Sequence, residues 1–244
     1  MKNLNIHYNE YHPIAELANN KTTPLWFLRK LINNKSEWVR ARLADNPNLP
    51  VDMIYILAKD ESEEVRGAIA DNMNTPLDLL ESFLDDESIW VKSRLADNIN
   101  ITQEMIQKLY EYNSDSISIE LAYKHTTPIH ILEELAKSNN TYIRRAVCCN
   151  GITPLYILEH LVKDPNVIIR KSIPLHNNCS NELLLKLSKD EDFEVRNIVA
   201  MHPELSKEIF EALSLDEDIR VKFTLLNNQG LPEDIKDKIL ENLI

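Results

Sequence analysis

A branched aliphatic residue recurs every 26 positions along most of this 244-residue chain. The column it forms consists of Val39, Val65, Val91, Ile117, Ile143, Ile169, Val195 and Val221. A second aliphatic residue follows each of these four positions later, and Pro, Thr or Ser follows eleven positions later. A fixed period in this range is the signature of a repeat architecture, because one short unit cannot bury its own apolar face and must stack on its neighbours.

Each repeat is predicted to hold two short helices. In the first helix the two aliphatic residues share a face, because residues four apart are neighbours on a helix. The first helix ends at an Asn column, and we expect Asn to stop it by adopting the left-handed conformation. The second helix follows pairs such as Thr75-Pro76 and Thr153-Pro154. These pairs predict an N-cap Thr with Pro at the first helical position.

The register predicts one all-α domain over residues 1–244, with residues 1–12 as a lead-in. Nine repeats then begin at residues 13, 39, 65, 91, 117, 143, 169, 195 and 221. The predicted fold is an α-solenoid of nine 26-residue two-helix repeats, with no linker and no second domain.

Two segments of the sequence resemble a known family of repeats. The run Asp60-Glu61-Ser62-Glu63-Glu64-Val65-Arg66 resembles the Asp-x4-Val-Arg signature of HEAT repeats, and residues 39–50 are similar to the short HEAT-like units called variant leucine-rich repeats. The resemblance implies a right-handed superhelix with the first helices on its concave face and the second helices on its convex face. The period is shorter than the ~40–47 residues of HEAT units. The iron–sulfur cysteine cluster of some variant leucine-rich repeat proteins has no counterpart in this sequence.

The same resemblance implies a ladder of charge-assisted bonds between an Asp column and an Arg/Lys column. Each Asp precedes its cation by six residues, and we expect the two to be local partners. The predicted ladder is Asp60 with Arg66, Asp86 with Lys92, Asp164 with Arg170, Asp190 with Arg196, and Asp216 with Lys222. A phosphate-binding stripe is the alternative, and the nearby carboxylates argue against it.

A partner site is predicted where one column changes character. Two residues after the second aliphatic position the chain has Asp in three repeats and then Tyr123, Cys149, Leu175 and Met201. An apolar strip that the fold does not need suggests a partner surface. The predicted partner-binding residues are Tyr123, His125, Arg145, Cys149, Leu175, Ile198 and Met201. The alternative is that the next repeat covers these side chains, or that the column has simply drifted.

Composition bears on function mainly through charge. The net charge of −12 disfavours nucleic acid as a partner, because binding to phosphates requires clustered cations. It fits a basic protein or peptide better. We therefore expect a cytoplasmic, monomeric, non-catalytic scaffold without a membrane segment. Two alternatives stay open: an acidic inhibitor of a basic toxin, and a HEAT-like nucleic-acid-processing enzyme similar to the alkylpurine glycosylases.

No catalytic, cofactor or metal site is predicted. The sequence contains no G-x-S-x-G, H-E-x-x-H, P-loop or Rossmann motif. Cys149, His176 and Cys179 are candidate ligands for a soft metal, but adjacent cysteines without a C-x2-C pair are a poor zinc signature.

Overall fold

Helices alone form the regular secondary structure of the part of the chain described here. The structure is a computed structural model that describes residues 13–241, so the predicted lead-in over residues 1–12 and the final residues 242–244 lie outside the described residues. Eighteen α-helices follow one another within residues 13–241, with no strand among them. They alternate between two classes, called here the first and second helices of each repeat. The predicted all-α fold of two-helix repeats is confirmed.

The first helices are α1 (Pro13–Asn19), α3 (Glu37–Ala44), α5 (Glu63–Asp71), α7 (Ile89–Asp97), α9 (Asp115–Tyr123), α11 (Thr141–Cys149), α13 (Val167–Ser172), α15 (Phe193–Met201) and α17 (Ile219–Leu226). The second helices are α2 (Leu25–Leu31), α4 (Val51–Leu57), α6 (Leu77–Ser82), α8 (Gln103–Glu111), α10 (Ile129–Leu135), α12 (Leu155–Leu161), α14 (Asn181–Leu187), α16 (Lys207–Ser214) and α18 (Glu233–Glu241). A 3-10 turn extends α6 over Phe83–Asp85, and another extends α13 over Ile173–Leu175.

The chain divides into two compact units, Met1–Leu121 and Ala122–Ile244. In the first unit α1, α3, α5 and α7 pack side by side, and in the second unit α11, α13, α15 and α17 do the same. The single domain predicted over residues 1–244 stays a prediction.

Stacking of neighbouring repeats supplies the stability that these helices lack alone. Each α-helix has only six to nine residues, and isolated helices of this length are marginal in water. The aliphatic markers are fully buried between neighbouring first helices, as Val65, Ile69 and Val91 illustrate. Removing their apolar surface from water drives the packing, at about 25 cal/mol per Å².

Small residues let the first helices of the first unit approach closely. Gly67 is the clearest case, because a Cβ atom at this position would lie 3.1 Å from Nε1 of Trp90. Ala41 and Ser93 occupy the same column, whereas the second unit has Arg145 and Lys171 there. The contact between α5 and α7 is correspondingly more extensive than that between α13 and α15.

The predicted N-cap role of Thr in the Thr-Pro pairs is wrong. Pro76 and Pro154 occupy the N-cap positions of α6 and α12. The Thr75 hydroxyl instead donates to the carbonyl of Ile69 at 2.6 Å, and the Thr153 hydroxyl donates to that of Val147 at 2.6 Å. The Thr therefore satisfies a carbonyl near the end of the preceding first helix, where main-chain acceptors have no intrahelical partner.

The predicted left-handed conformation of the Asn column is also wrong. Asn72 ends α5 with φ −64° and ψ 126°, which is extended backbone. Among the described non-glycine residues, Asn113 is the one with a positive φ, and it lies outside this column. The Asn residues therefore end the first helices through their side chains, not through an unusual backbone.

Those side chains form an asparagine ladder between successive repeats. Nδ2 of Asn98 donates to the carbonyl of Ala70 at 2.7 Å and to that of Asn72 at 3.1 Å. Its Oδ1 accepts the main-chain N–H of Asn100 at 2.8 Å. Bonds of the same kind are made by Asn46, Asn72, Asn150 and Asn228. The ladder thus satisfies buried carbonyls of one repeat from the next.

Histidine replaces asparagine at two positions of this column, His176 and His202, and His176 keeps a cross-repeat contact. Nε2 of His176 lies 2.9 Å from the carbonyl oxygen of Asn150, and Nδ1 of His176 accepts the N–H of Asn178 at 2.9 Å. His176 is buried. Its ring therefore reproduces one cross-repeat bond and the local turn, which accounts for it without a metal.

Candidate functional site

The predicted charge ladder exists, but each arginine pairs with the Asp twenty residues after it and not with the residue six before it. Nε of Arg66 donates to Asp86 Oδ2 at 2.8 Å, and Nη2 of Arg66 donates to Asp86 Oδ1 at 3.1 Å. Asp86 lies twenty residues after Arg66. Asp60, the expected partner six residues before Arg66, uses its carboxylate for Arg40 at 2.7 Å. The predicted pairing of each cation with the Asp six residues before it is therefore wrong.

All five arginine rungs follow the same rule, with the Asp partner twenty residues after the arginine. The paired residues are Arg40–Asp60, Arg66–Asp86, Arg144–Asp164, Arg170–Asp190 and Arg196–Asp216. The residue six positions before each arginine also contributes to the ladder, through its main chain. Its carbonyl accepts a hydrogen bond from Nη1 of the arginine. One guanidinium thus joins the loop before its own first helix to a carboxylate in the loop after the following second helix, and the carboxylate is held in the bidentate geometry that makes such bonds strong.

The lysines of the predicted ladder behave differently from the arginines. Lys92 is buried, and its Nζ lies 4.2 Å from the ring centroid of Tyr112, which stands where other repeats have Asp. The Tyr112 hydroxyl donates to the carbonyl of Leu84 at 2.5 Å. A cation–π contact therefore replaces the ion pair in this rung. Lys222 is half-buried in α17. The carboxylate of Asp216, its predicted partner, is bound by Arg196 instead.

Three of the ladder carboxylates, Asp60, Asp86 and Asp164, have lowered pKa values despite their burial. Burial by itself raises the pKa of Asp164, but the hydrogen bonds from Arg144 and from the N–H of Asn166 outweigh it, and the net direction is downward. The pKa values of Asp60 and Asp86 are lowered for the same reasons. The arginine partners hold their charge more strongly, because the hydrogen bond to Asp raises the pKa of each.

Acid should therefore weaken the stack. A carboxyl group whose pKa is lower in the folded than in the unfolded chain stabilises the fold above its unfolded pKa of about 3.9 and loses that contribution as the pH falls through the folded value. We expect the urea midpoint to fall between pH 5 and pH 2. Asp164→Asn should be less stable at pH 5 and should show a smaller fall. An equal fall in both proteins would contradict this origin of the acid sensitivity.

The column predicted to bind a partner is exposed in four successive repeats. Tyr123, Cys149, Leu175 and Met201 occupy the last position of α9, α11, the 3-10 turn after α13, and α15. Leu175 is 73% exposed and Met201 is 65% exposed. The next repeat therefore does not cover these side chains. We call these four residues the apolar strip.

The other predicted partner-binding residues are placed less uniformly. His125 and Arg145 are exposed, whereas Ile198 is half-buried. Nδ1 of His125 lies 3.0 Å from Oδ1 of Asn150, so the ring is tied to the asparagine ladder. Arg145 makes no ion pair or side-chain hydrogen bond within residues 13–241.

The first unit shows what the fold accepts at the same column. Asp45 pairs with Arg42 at 3.0 Å, and Asp71 pairs with Arg94. Burial raises the pKa of Asp45, and its pairing with Arg42 acts in the opposite direction. Aspartate thus occupies this position beside a cation without disrupting the stack. An apolar residue there is not a packing requirement.

Three further exposed apolar residues belong to the same helix face and were not predicted as site residues. Tyr142 and Phe223 are 70% and 68% exposed, and Ile168 is also exposed. Phe223 and Met201 both line an open cleft of about 470 Å³ between the ends of α15 and α17. The 26-residue register places these three residues on the same helix face as the apolar strip. That placement was the signal by which the sequence could have identified them.

Cysteine and metal chemistry find little support in the geometry. Burial raises the pKa of Cys148 to about 12 and that of Cys179 to about 11. Neither thiol is therefore an activated nucleophile at neutral pH. Within residues 13–241 no group of three or more His, Cys, Asp or Glu side chains is arranged to hold a metal ion. In the same part of the chain, every helix is too short or too polar to cross a membrane.

Comparison with known proteins gives a structural match. No protein-family model matches the chain, and no curated protein matches it. A solved structure described as a leucine-rich repeat variant with a novel repetitive structural motif is similar over 86% of this chain and 87% of its own, with 19% identity and a TM-score of 0.64. That score, over most of both chains, shows a common fold.

Two other solved structures match with lower scores. The YIBA_ECOLI protein covers 96% of each chain at 16% identity with a TM-score of 0.38. A computationally designed armadillo repeat protein for modular peptide recognition covers 95% of this chain and 97% of its own at 16% identity, with a TM-score of 0.19. These scores are too low to support a comparison of folds. On the match to the first structure and the repeat geometry, this chain is an α-solenoid with the same fold as that leucine-rich repeat variant.

Proposed function

We propose that this protein is a non-catalytic scaffold that binds a protein or peptide on the first-helix face of its second unit. The observation that carries the proposal is the apolar strip, in which four successive repeats expose an apolar or sulfur-containing side chain. The fold accepts Asp45 and Asp71 at the same column, so stacking does not explain the strip. A contiguous exposed apolar surface is typical of an interaction site.

The strip and the neighbouring Phe223 offer apolar side chains that a partner can bury. Fully burying a Leu or Met side chain contributes about 1.5–3 kcal/mol. Leu175, Met201 and Phe223 are each about two-thirds exposed or more, so a partner can bury most of each side chain. The cleft beside Met201 and Phe223 offers a place for an inserted apolar residue, which is how interface hot spots are usually built.

Aspartate at two strip positions should abolish binding without unfolding the protein. The probe is a displayed library of random 12-residue peptides, selected on the wild-type chain. We expect the double variant Leu175→Asp, Met201→Asp to bind the selected peptides at least about tenfold more weakly, because two apolar contacts are lost and two charges are desolvated. Fluorescence polarisation measures the affinity, and circular dichroism measures the melting temperature, which should change little.

The matched control is Leu215→Asp. Leu215 is 78% exposed and follows α16, a second helix, so this variant adds a charge at an equally exposed leucine outside the strip. It should bind the selected peptides as the wild type does. Unfolding of the double variant would show that the strip is part of the core. Peptides that bind the wild type and the double variant equally would place the site elsewhere.

A further inference from the structure

The two helix classes of the second unit carry opposite charge. Glu194 is the one acidic residue within α11, α13, α15 and α17, and its carboxylate is paired with Lys171 at 2.6 Å. Arg145, Lys171 and Arg220 are cations of these helices that lie outside the arginine ladder. The second helices α10, α12, α14, α16 and α18 carry the acidic residues Glu133, Glu134, Glu159, Glu182, Glu208, Glu211, Glu233, Asp234, Asp237 and Glu241.

Cations on the first helices lie beside the apolar strip. Arg145 precedes Cys149 by four residues, and Lys171 precedes Leu175 by four, so each cation lies about one turn from an exposed strip residue. Tyr142 and Ile168 precede the same cations by three residues and are themselves exposed. Helices α11 and α13 therefore each present an apolar residue, a cation and a second apolar or sulfur-containing residue in sequence along one face.

Arg145 is the cation of this face that is available to a partner. It is exposed and has no ion pair or side-chain hydrogen bond within the described part of the chain. The neighbouring Asp164 does not neutralise it, because its side chain is 4% exposed and its oxygens are taken by Arg144. Lys171 and Glu194 neutralise each other.

The acidic residues near this face lie at the N-terminal ends of the first helices, at the opposite end from the strip. Asp192 and Asp218 cap the N-termini of α15 and α17, and Asp218 is also bound by Arg220 at 2.6 Å. Glu191 lies 3.3 Å from Arg170. The strip residues are at the C-terminal ends of their helices. Since charges farther apart than about 8 Å are screened at physiological ionic strength, a partner on α11 and α13 meets mainly Arg145 and the apolar side chains.

We propose that the segment bound by this face is an acidic amphipathic peptide, with apolar side chains against Tyr142, Cys149, Ile168 and Leu175 and a carboxylate opposite Arg145. This inference rests on the proposed function and specifies the chemistry of its partner. It differs from the basic partner that the net charge of −12 favours. The reason is that the negative charge of this unit is concentrated on the second helices and the loops, away from the strip.

Three peptide libraries test the inference on the full chain. They share the same randomised Leu, Ile, Phe and Tyr positions and differ only in carrying Glu, Gln or Lys at the intervening positions. We expect the Glu peptides to bind most tightly, the Gln peptides less tightly and the Lys peptides least. Each reversal of a peptide charge that faces Arg145 should change the affinity roughly threefold to tenfold. The preference should shrink in high salt.

Charge reversal at Arg145 gives the sharpest result. Arg145→Glu should invert the order, so that Lys peptides bind it better than Glu peptides. Lys186→Glu is the matched control, because Lys186 is an exposed cation on the second helix α14 and its reversal changes the net charge equally. This control should keep the wild-type order. A Glu preference that Arg145→Glu leaves unchanged would overturn the inference.

The remaining outcomes separate this inference from the proposed function. Lys peptides that bind best and are lost in Leu175→Asp, Met201→Asp would overturn the acidic partner and leave the scaffold proposal intact. If no peptide of any library depends on the strip, both proposals fail. Sedimentation of the wild type alone supplies one more outcome: a dimer that the same double variant dissociates would identify a second copy as the occupant and overturn the peptide.

Discussion

Replacing Arg144 by Ala is expected to lower the free energy of unfolding by about 3 kcal/mol, whereas replacing its neighbour Arg145 should change it by less than about 0.5 kcal/mol. Arg144 donates two hydrogen bonds to Asp164, at 2.6 and 3.0 Å, and one to the carbonyl of Ser138 at 2.8 Å. Its loss leaves a buried carboxylate without its cation. Arg145 is exposed on the same helix and makes none of these bonds. Urea unfolding followed by circular dichroism measures both variants.

Two further variants separate charge from geometry in this rung. Arg144→Lys keeps the positive charge but cannot form the bidentate pair, so its stability should fall between those of the wild type and Arg144→Ala. The double variant Arg144→Ala, Asp164→Ala removes both partners and should recover part of the loss, since no unpaired carboxylate remains. Equal stabilities of Arg144→Ala and Arg145→Ala would show that the ladder contributes nothing.

Asn98→Ala should be a second strongly destabilising change, by about 3 kcal/mol. The substitution leaves the carbonyls of Ala70 and Asn72 without their side-chain donor and the N–H of Asn100 without its acceptor. Asn98 is almost fully buried, so water cannot replace these bonds easily. The measurement is again the urea midpoint, with hydrogen exchange over α5 and α7 to locate the loss.

The chain itself suggests the control for this variant. His176 occupies the same column and keeps one cross-repeat contact and the bond to the N–H two residues later. Asn98→His should therefore lose less stability than Asn98→Ala, despite the larger change in volume. Asn98→Asp should be at least as destabilising as Asn98→Ala, because a carboxylate has no donor for the two carbonyls. A stable Asn98→Ala protein would refute the role of the asparagine ladder.

The sequence was sufficient to predict the repeat architecture, because the information is local and repeated. The spacing between Val65 and Ile69 defines a helix face, and the same face returns 26 residues later at Val91 and Leu95. An apolar face that recurs at a fixed period must be buried by its neighbours. The apolar strip was also visible in the sequence, since Leu175 and Met201 stand in a column that begins with Asp.

The pairing of the ladder depended on tertiary structure. Arg66, Arg170 and Arg196 each have an Asp six residues before them and another twenty residues after them, and these two distances add up to one repeat. For these three arginines the spacing alone cannot choose between the two partners. Arg40 and Arg144 have Asn34 and Ser138 at the earlier position, so the sequence offers them only the later Asp. The packing of α5, α6 and α7 brings the carboxylate of Asp86, and not that of Asp60, to the guanidinium of Arg66. The stacking of repeats brings the Asn side chains to the carbonyls of the preceding repeat.

Exposure and charge placement were likewise decided by the three-dimensional structure. A column in the sequence does not show whether the next repeat covers it, because that depends on how closely neighbouring helices pack. The net charge is a sum over the whole chain, whereas a partner responds to the charges within a few ångströms of where it binds. The sequence therefore determined the repeat and its helix faces, and the packing of those helices determined which side chains pair, which stay exposed and which charges surround them.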